Sequence, residues 1–304
     1  MPPIIQTSAK ANLRGSMFMT LAMLGYATND IIIKSFGGQL NLGQVVFVRG
    51  LFAALIVGAL VAWFRKFPPI SIALSFPVLL RALAETVATF LFLTALFNIP
   101  IADVSAVMQL LPLAVTLGAA YFFGEKIGWR RITAIIVGFL AVLLIIKPGF
   151  GGFSIHSLYV VGAVLACMVR DLVTRRLATE IPSLFVTLVT VLAVCIAFGT
   201  WSLIEGWQPI STPQLLLIGL ASNFIIIGYF FAVAAMRVGD IGFVSPFRYS
   251  ILLFSIIGGV AFYNEIPDFY SMLGSAIIVT AGLYTLYREQ VTGRQSNVTA
   301  PIRS

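Results

Sequence analysis

The sequence predicts an all-α integral membrane fold of ten transmembrane helices arranged as two inverted five-helix repeats, and three observations predict it. Hydrophobic residues make up 60% of the 304 positions and charged residues only 10%, whereas soluble domains carry roughly 45–50% and 25%. The apolar residues are gathered into ten long runs. Short polar signatures then recur at a fixed distance: Asp30-x-x-x-Lys34 returns 141 residues later as Asp171-x-x-x-Arg175, and Gly124-Glu125 returns 140 residues later as Asn264-Glu265. Each copy of the pattern holds five runs. Because five is odd, the second copy enters the membrane upside down relative to the first, an arrangement common among carriers.

Each span is justified by length and continuity. A hydrocarbon core of about 30 Å takes about 20 residues of helix. The runs at 15–33, 43–64, 76–97, 104–123, 132–146, 158–173, 184–204, 213–234, 241–262 and 269–287 are of that order. They are continuously apolar and broken only by Gly, Pro and charge clusters, so the alternating short segments of a β-barrel are excluded. The organisation that follows is a tail at 1–14, a first repeat at 15–147, a second at 156–288 and a polar tail at 289–304 expected to be disordered. No small-residue cleavage pattern follows the first run, which reads as a retained span. The loops are short and leave no room for a soluble catalytic or ligand-binding domain.

The net charge of +8 is a topology signal rather than a nucleic-acid footprint. With the N-terminus placed in the cytoplasm, the inside segments hold Lys10, Arg14, Arg65, Lys66, Lys126, Arg130, Arg131, Arg175, Arg176, Arg237, Arg288, Arg294 and Arg303. The outside segments hold Lys147, with Lys34 at the boundary. That bias is the positive-inside rule, with both termini cytoplasmic in a bacterial inner membrane.

The inventory of reactive groups argues against an enzyme. His156 is the single histidine, so zinc sites built from His clusters and Ser-His catalysis lack their parts. Cys167 and Cys195 fall inside spans and read as packing residues. Gly149-Phe150-Gly151-Gly152 lacks the Lys-Ser/Thr of a P-loop. No catalytic residue, metal or cofactor is expected, and any transport must run on a gradient or on exchange. The partners expected are a small-molecule substrate and the lipid bilayer, with no nucleic acid. Monomer and homodimer both remain open.

Charged residues deep in a span cost about 2.5–3.5 kcal/mol each on insertion scales and mark function by default. Arg49, Arg81, Glu85 and Arg248 are of this kind. Arg81 and Glu85 stand four apart on one face and are expected to neutralise each other. Arg248 lies in Ser245-Pro246-Phe247-Arg248-Tyr249, where Pro246 breaks the helix, and Pro112 does the same in the fourth span. Irregular segments at corresponding places of two inverted halves point to a midplane site, and a guanidinium there suits a carboxylate, phosphate or carbonyl-rich ring. Tyr26, Asn29, Gln109, Asn223 and Tyr249 are the polar candidates for substrate contact. The Asp30/Lys34 and Asp171/Arg175 signatures are expected as interfacial ion pairs at opposite faces, and Glu125 and Glu265 as latches closing the fourth and ninth spans.

The doubled pattern, the Gly-Glu and Asn-Glu ends of spans four and nine, and the Gly-rich fifth and tenth spans resemble the EamA-type branch of the drug/metabolite transporter superfamily, from about Leu13 to Arg288. Thr28-Asn29-Asp30, Val48-Arg49, Leu80-Arg81, Lys147-Pro148, Pro246-Phe247-Arg248-Tyr249 and Asn264-Glu265-Ile266-Pro267-Asp268 are similar to bacterial S-adenosylmethionine and riboflavin uptake members. The resemblance implies a central substrate cavity and alternating access by rocking of helix groups. It implies uptake of a vitamin-like heterocycle such as riboflavin first, and S-adenosylmethionine next. Export of amino acids or drug-like compounds is the alternative within the class. A membrane enzyme or assembly factor is the alternative outside it. Asp30 lies near the end of its span rather than mid-membrane, unlike the acidic residue of small multidrug-resistance relatives, which speaks against simple proton/cation antiport.

Overall fold

A computed structural model describes residues 9–64, 68–124, 128–147, 154–177 and 181–298. Among these, ten helices are long and apolar enough to cross a membrane. Span 1 is Ala9–Lys34, span 2 Leu42–Trp63, span 3 Phe76–Asn98, span 4 Ile101–Phe123 and span 5 Trp129–Ile146. Span 6 is Ile155–Arg176, span 7 Ser183–Glu205, span 8 Thr212–Val238, span 9 Ser245–Tyr263 and span 10 Phe269–Tyr287. A short helix, Ile70–Ala73, lies between spans 2 and 3. The helix that contains span 10 continues to Val298. The tail expected to be disordered from 289 is therefore helical in its first part, since Arg288, Glu289 and Gln290 are good helix formers that no Pro interrupts.

Helix ends follow ordinary capping chemistry. Gly124 adopts φ 67°, ψ 22° and ends span 4, and Asn264 adopts φ 54°, ψ 29° and ends span 9. Glycine and asparagine are the residues that tolerate this left-handed turn. The recurrence of Gly124 and Asn264 is thus a recurrence of one stop signal, and behind Asn264 it delivers Glu265 to the end of the span. Ser211 and Gln214 form a capping box at the start of span 8.

Packing repeats with the sequence. Span 1 lies along span 8, and span 3 along span 6; span 2 lies along span 7, and span 5 along span 10. Exchanging every span for the one five places on maps this pattern onto itself, as two repeats related by a two-fold require. The halves interdigitate rather than sit side by side. A core cluster includes Ile33, Leu96, Val107, Leu110, Ile145, Val164 and Ile218, drawn from both halves. Cys167 and Cys195 are buried and unpaired.

Spans 4 and 9 each carry a break in regular α-helix at a proline. In span 4, helix Ile101–Met108 gives way to Leu111–Phe123. Gln109 and Leu110 donate to carbonyls three residues back, at 3.1 and 3.0 Å, just before Pro112, which has no N–H. A helical turn, Ile241–Val244, leads into span 9, which opens with a 3-10 segment at Ser245–Tyr249 around Pro246 before α-helix resumes at Ser250–Tyr263. The two breaks touch: Gln109 Nε2 donates to the Arg248 carbonyl at 3.4 Å, and Ser105 and Ser255 share a buried hydrogen bond of 2.7 Å.

The 3-10 turn sends Tyr249 into the protein, against Gly282 of span 10, where an added methyl would overlap the tyrosine hydroxyl. Gly282→Val is expected to cost about 1–3 kcal/mol through overpacking. It will show as a lowered melting temperature in detergent, with recovery in the Gly282→Val, Tyr249→Ala double variant.

Candidate functional site

Span 3 carries Arg81 and Glu85 on the side packed against span 6, and there the expected Arg81–Glu85 pair does not form. Glu85 Oε2 instead accepts from Arg170 Nη1 of span 6 at 3.0 Å. The same guanidinium donates through Nε to Asp171 Oδ1 at 2.8 Å. Arg81 turns to hydroxyls, donating from Nε to Thr174 Oγ1 at 2.9 Å and from Nη1 to Thr190 Oγ1. The reason is geometric: span 6 offers Glu85 a planar donor fork from across the interface, while the cation one turn earlier meets threonines on spans 6 and 7.

Arg170 is the functional candidate that sequence reading missed. It lies within the expected span 158–173 and meets the same intramembrane-charge criterion as Arg49. Its neighbour Asp171 reads in the sequence as part of the Asp171-x-x-x-Arg175 signature, which masks the pairing of Arg170 with Asp171. Asp171 accordingly takes its ion pair from Arg170, and Arg175 lies over the Phe123 ring at 5.9 Å.

The remaining candidates gather around Tyr229 of span 8. Its side chain lies within electrostatic reach of Arg49, Arg81, Glu85 and Arg170. It is nevertheless 56% exposed. A residue surrounded by charges from spans 2, 3 and 6, yet more than half exposed, borders a gap inside the bundle. Tyr26 of span 1 packs edge-on against it, with centroids 5.4 Å apart and planes at 77°. Tyr26 in turn lies within electrostatic reach of Arg170 and of the exposed Arg248. Asp30 and Arg49 are electrostatic neighbours. The inside of the bundle therefore joins charged or phenolic groups from spans 1, 2, 3, 6, 8 and 9.

Other candidates are placed differently. Asn29 is 2% exposed and donates from Nδ2 to Asp30 Oδ1 at 2.9 Å. Tyr249 is 9% exposed. Both belong to the packing more than to an open surface. Asn223 is exposed and bonds the Gly219 carbonyl of its own helix at 2.9 Å. Glu125 lies outside the described residues. A groove of about 480 Å³ between spans 5 and 10, lined by Trp129, Arg130, Val137, Ile277 and Tyr284 among others, shares no residue with this cluster.

The second polar assembly sits at the end of the bundle opposite the termini, and it corrects the expected Asp30–Lys34 pair. Lys34 is 9% exposed and spends its three donors on the carbonyls of Leu96 and Ile99, at 3.0 and 2.6 Å, and on Glu265 Oε1 at 2.8 Å. The other Glu265 oxygen accepts from the Ile101 N–H at 2.9 Å. Tyr263 donates to the Ile31 carbonyl. Lysine thus caps the carbonyl end of span 3, glutamate caps the N–H end of span 4, and each charge has the sign its helix end attracts. Asp30, one turn earlier on span 1, is left to Asn29 and Arg49.

The residues 13–147 and 155–287 match the model of the EamA-like transporter family, covering nearly all of both repeats. This chain belongs to the EamA-like transporter family. It is 25% identical to an S-adenosylmethionine uptake transporter of Rickettsia conorii over 92% of this chain and 95% of that one. It is 29% identical to a riboflavin transporter of Vibrio cholerae over 72% and 74%, and 26% identical to the pseudopaline exporter CntI of Pseudomonas aeruginosa over 88% and 94%. A crystal structure of 18% identity superposes with a TM-score of 0.60 across 91% of this chain and 98% of that one, which establishes the shared fold. The protein is a multi-pass membrane transporter of the EamA kind.

Glu265→Gln leaves the buried Lys34 ammonium without its counter-charge, and a loss of about 3 kcal/mol is expected. The check is thermal melting of the purified protein beside Lys34→Met, Glu265→Gln, which should recover part of the loss. A flux rate unchanged by Glu265→Gln would remove this glutamate from the gate. Nearby, slight burial raises the Asp268 carboxyl, but the hydrogen bond from Lys147 and those from Ser271 outweigh it and hold it below the ordinary carboxylate range. A depressed folded-state value contributes stability above the unfolded value of about 3.9 that is lost as pH falls through the folded one. Melting curves of parent and Asp268→Asn should therefore converge below about pH 4 and separate above it.

Proposed function

We propose that this chain is a secondary carrier of the bacterial inner membrane that takes up a small, flat, polar metabolite by alternating access, with both termini cytoplasmic. The observation that carries the reading is the cluster joining Glu85 of the first half to Arg170 of the second, inside a bundle whose halves interdigitate. A substrate lodged among such groups contacts both halves at once, so its binding is coupled to their relative movement. Spans 4 and 9, each broken by a proline and touching at the break, supply segments that bend without losing a full helix. The lysine and arginine bias supports cytoplasmic termini.

For substrate, the Tyr26 and Tyr229 rings beside the guanidinium groups favour a heterocycle with polar substituents. Riboflavin and S-adenosylmethionine both fit that description, and relatives with those names support it. Export is the second reading, supported by the similarity to a pseudopaline exporter. A carrier rather than an enzyme is supported by the single histidine of the sequence and by relatives named as transporters. Purified protein in liposomes should accelerate uptake of labelled riboflavin or S-adenosylmethionine over empty liposomes. Arg248→Ala should abolish that uptake while the melting temperature holds. No flux for any member of a broad metabolite panel would overturn the carrier reading.

A further inference from the structure

The charges inside the bundle pair off unevenly. Glu85 and Asp171 are bridged by one guanidinium, that of Arg170. Arg81, within electrostatic reach of both carboxylates, completes a group of two cations and two anions. Asp30 and Arg49 form a second balanced group. One charge is left over. Arg248 makes no ion pair or side-chain hydrogen bond among the described residues, is exposed, and lies within electrostatic reach of Tyr26 on the same interior space. Its backbone carbonyl is held by Gln109 across the two helix breaks at 3.4 Å, so the guanidinium is anchored at its root and free at its tip.

A guanidinium held inside a bundle, exposed and without a carboxylate of its own, is a ready partner for an entering anion. Every carboxylate of the cluster is already matched, so an anionic group entering this space finds in Arg248 a guanidinium that no protein carboxylate occupies. We infer that the substrate carries a carboxylate, or an equivalent planar oxyanion, that docks on Arg248 in a two-bond fork, with its ring directed at Tyr26 and Tyr229. The inference rests on the carrier reading above and narrows it. Of the two heterocycles considered, S-adenosylmethionine carries a carboxylate and riboflavin does not. The cationic centres of S-adenosylmethionine then face the Glu85–Asp171 side. Neutral vitamins and carboxylate-free polycations are disfavoured, since neither supplies what Arg248 lacks.

The test uses matched pairs that differ in the carboxylate alone: S-adenosylmethionine against decarboxylated S-adenosylmethionine, and nicotinate against nicotinamide, with riboflavin as a neutral heterocycle. Binding is read as thermal stabilisation of the full-length protein in detergent, independently of flux. In at least one pair, the carboxylate is expected to bind about 10- to 100-fold more tightly than its partner, the worth of hydrogen bonds to a charged group. Arg248→Gln should erase that difference and Arg248→Lys should keep part of it, a lysine being a point charge without the fork. Should Arg248→Gln fold poorly, the comparison within each pair in the parent protein still decides. Equal binding within both pairs, tighter binding of riboflavin than of either carboxylate, or a preference that survives Arg248→Gln in a folded variant overturns the inference. Absence of flux with a binding preference intact would count against the carrier reading and leave the carboxylate site standing.

Discussion

The ion pair of Lys34 with Glu265 is the constraint on which the distal half of the structure is built. It joins the end of span 1 to the end of span 9, and it also ties off both sides of the connection between spans 3 and 4. A buried lysine is tolerated only when every donor is used and the charge is matched. Here two orphan carbonyls of one helix and a carboxylate meet that demand, and the same carboxylate satisfies an orphan N–H of the next helix. Four helix ends are fixed by two side chains.

The interior cluster obeys the same economy with a different result. Threonines of spans 6 and 7 take up Arg81, Arg170 spans two carboxylates, and Asp30 stands opposite Arg49. Ionic groups in a bilayer are retained where they face one another or water. The exposure of Tyr229 in the midst of these charges marks a gap inside the bundle, and Arg248 of the broken span 9 lies within electrostatic reach of the neighbouring Tyr26. Irregular backbone at membrane depth is tolerated where it is buried in protein or lines such a space.

Much of the fold was legible because the bilayer imposes a single rule on every segment: continuous apolar helices of fixed length. Ten spans follow from it directly, and the breaks at Pro112 and Pro246 follow from the N–H that proline lacks. The Gly124 and Asn264 stop signals were visible as a repeat, and their left-handed geometry explains why those residue types recur. Partner choice was less legible. Glu85 stands four residues from Arg81, and Asp30 four from Lys34, yet both pairs give way to partners from other spans. Spacing along one helix reports who is near locally, whereas the packing of span 3 on span 6 and of span 1 on span 9 decides which donor arrives with better geometry. Arg170 was missed for the same reason, its role being set by a helix 85 residues away in sequence.

The Lys34 contacts also order events in synthesis. Span 1 enters the membrane with its lysine long before span 9 exists, and the carbonyls of Leu96 and Ile99 come two spans later. Until the ninth helix delivers Glu265, that ammonium is without its counter-charge and must be held at the water boundary by its flexible stem. The charge match at the distal end of the bundle therefore comes last, when nearly all of the chain has been made and span 1 already has span 8 to pack along.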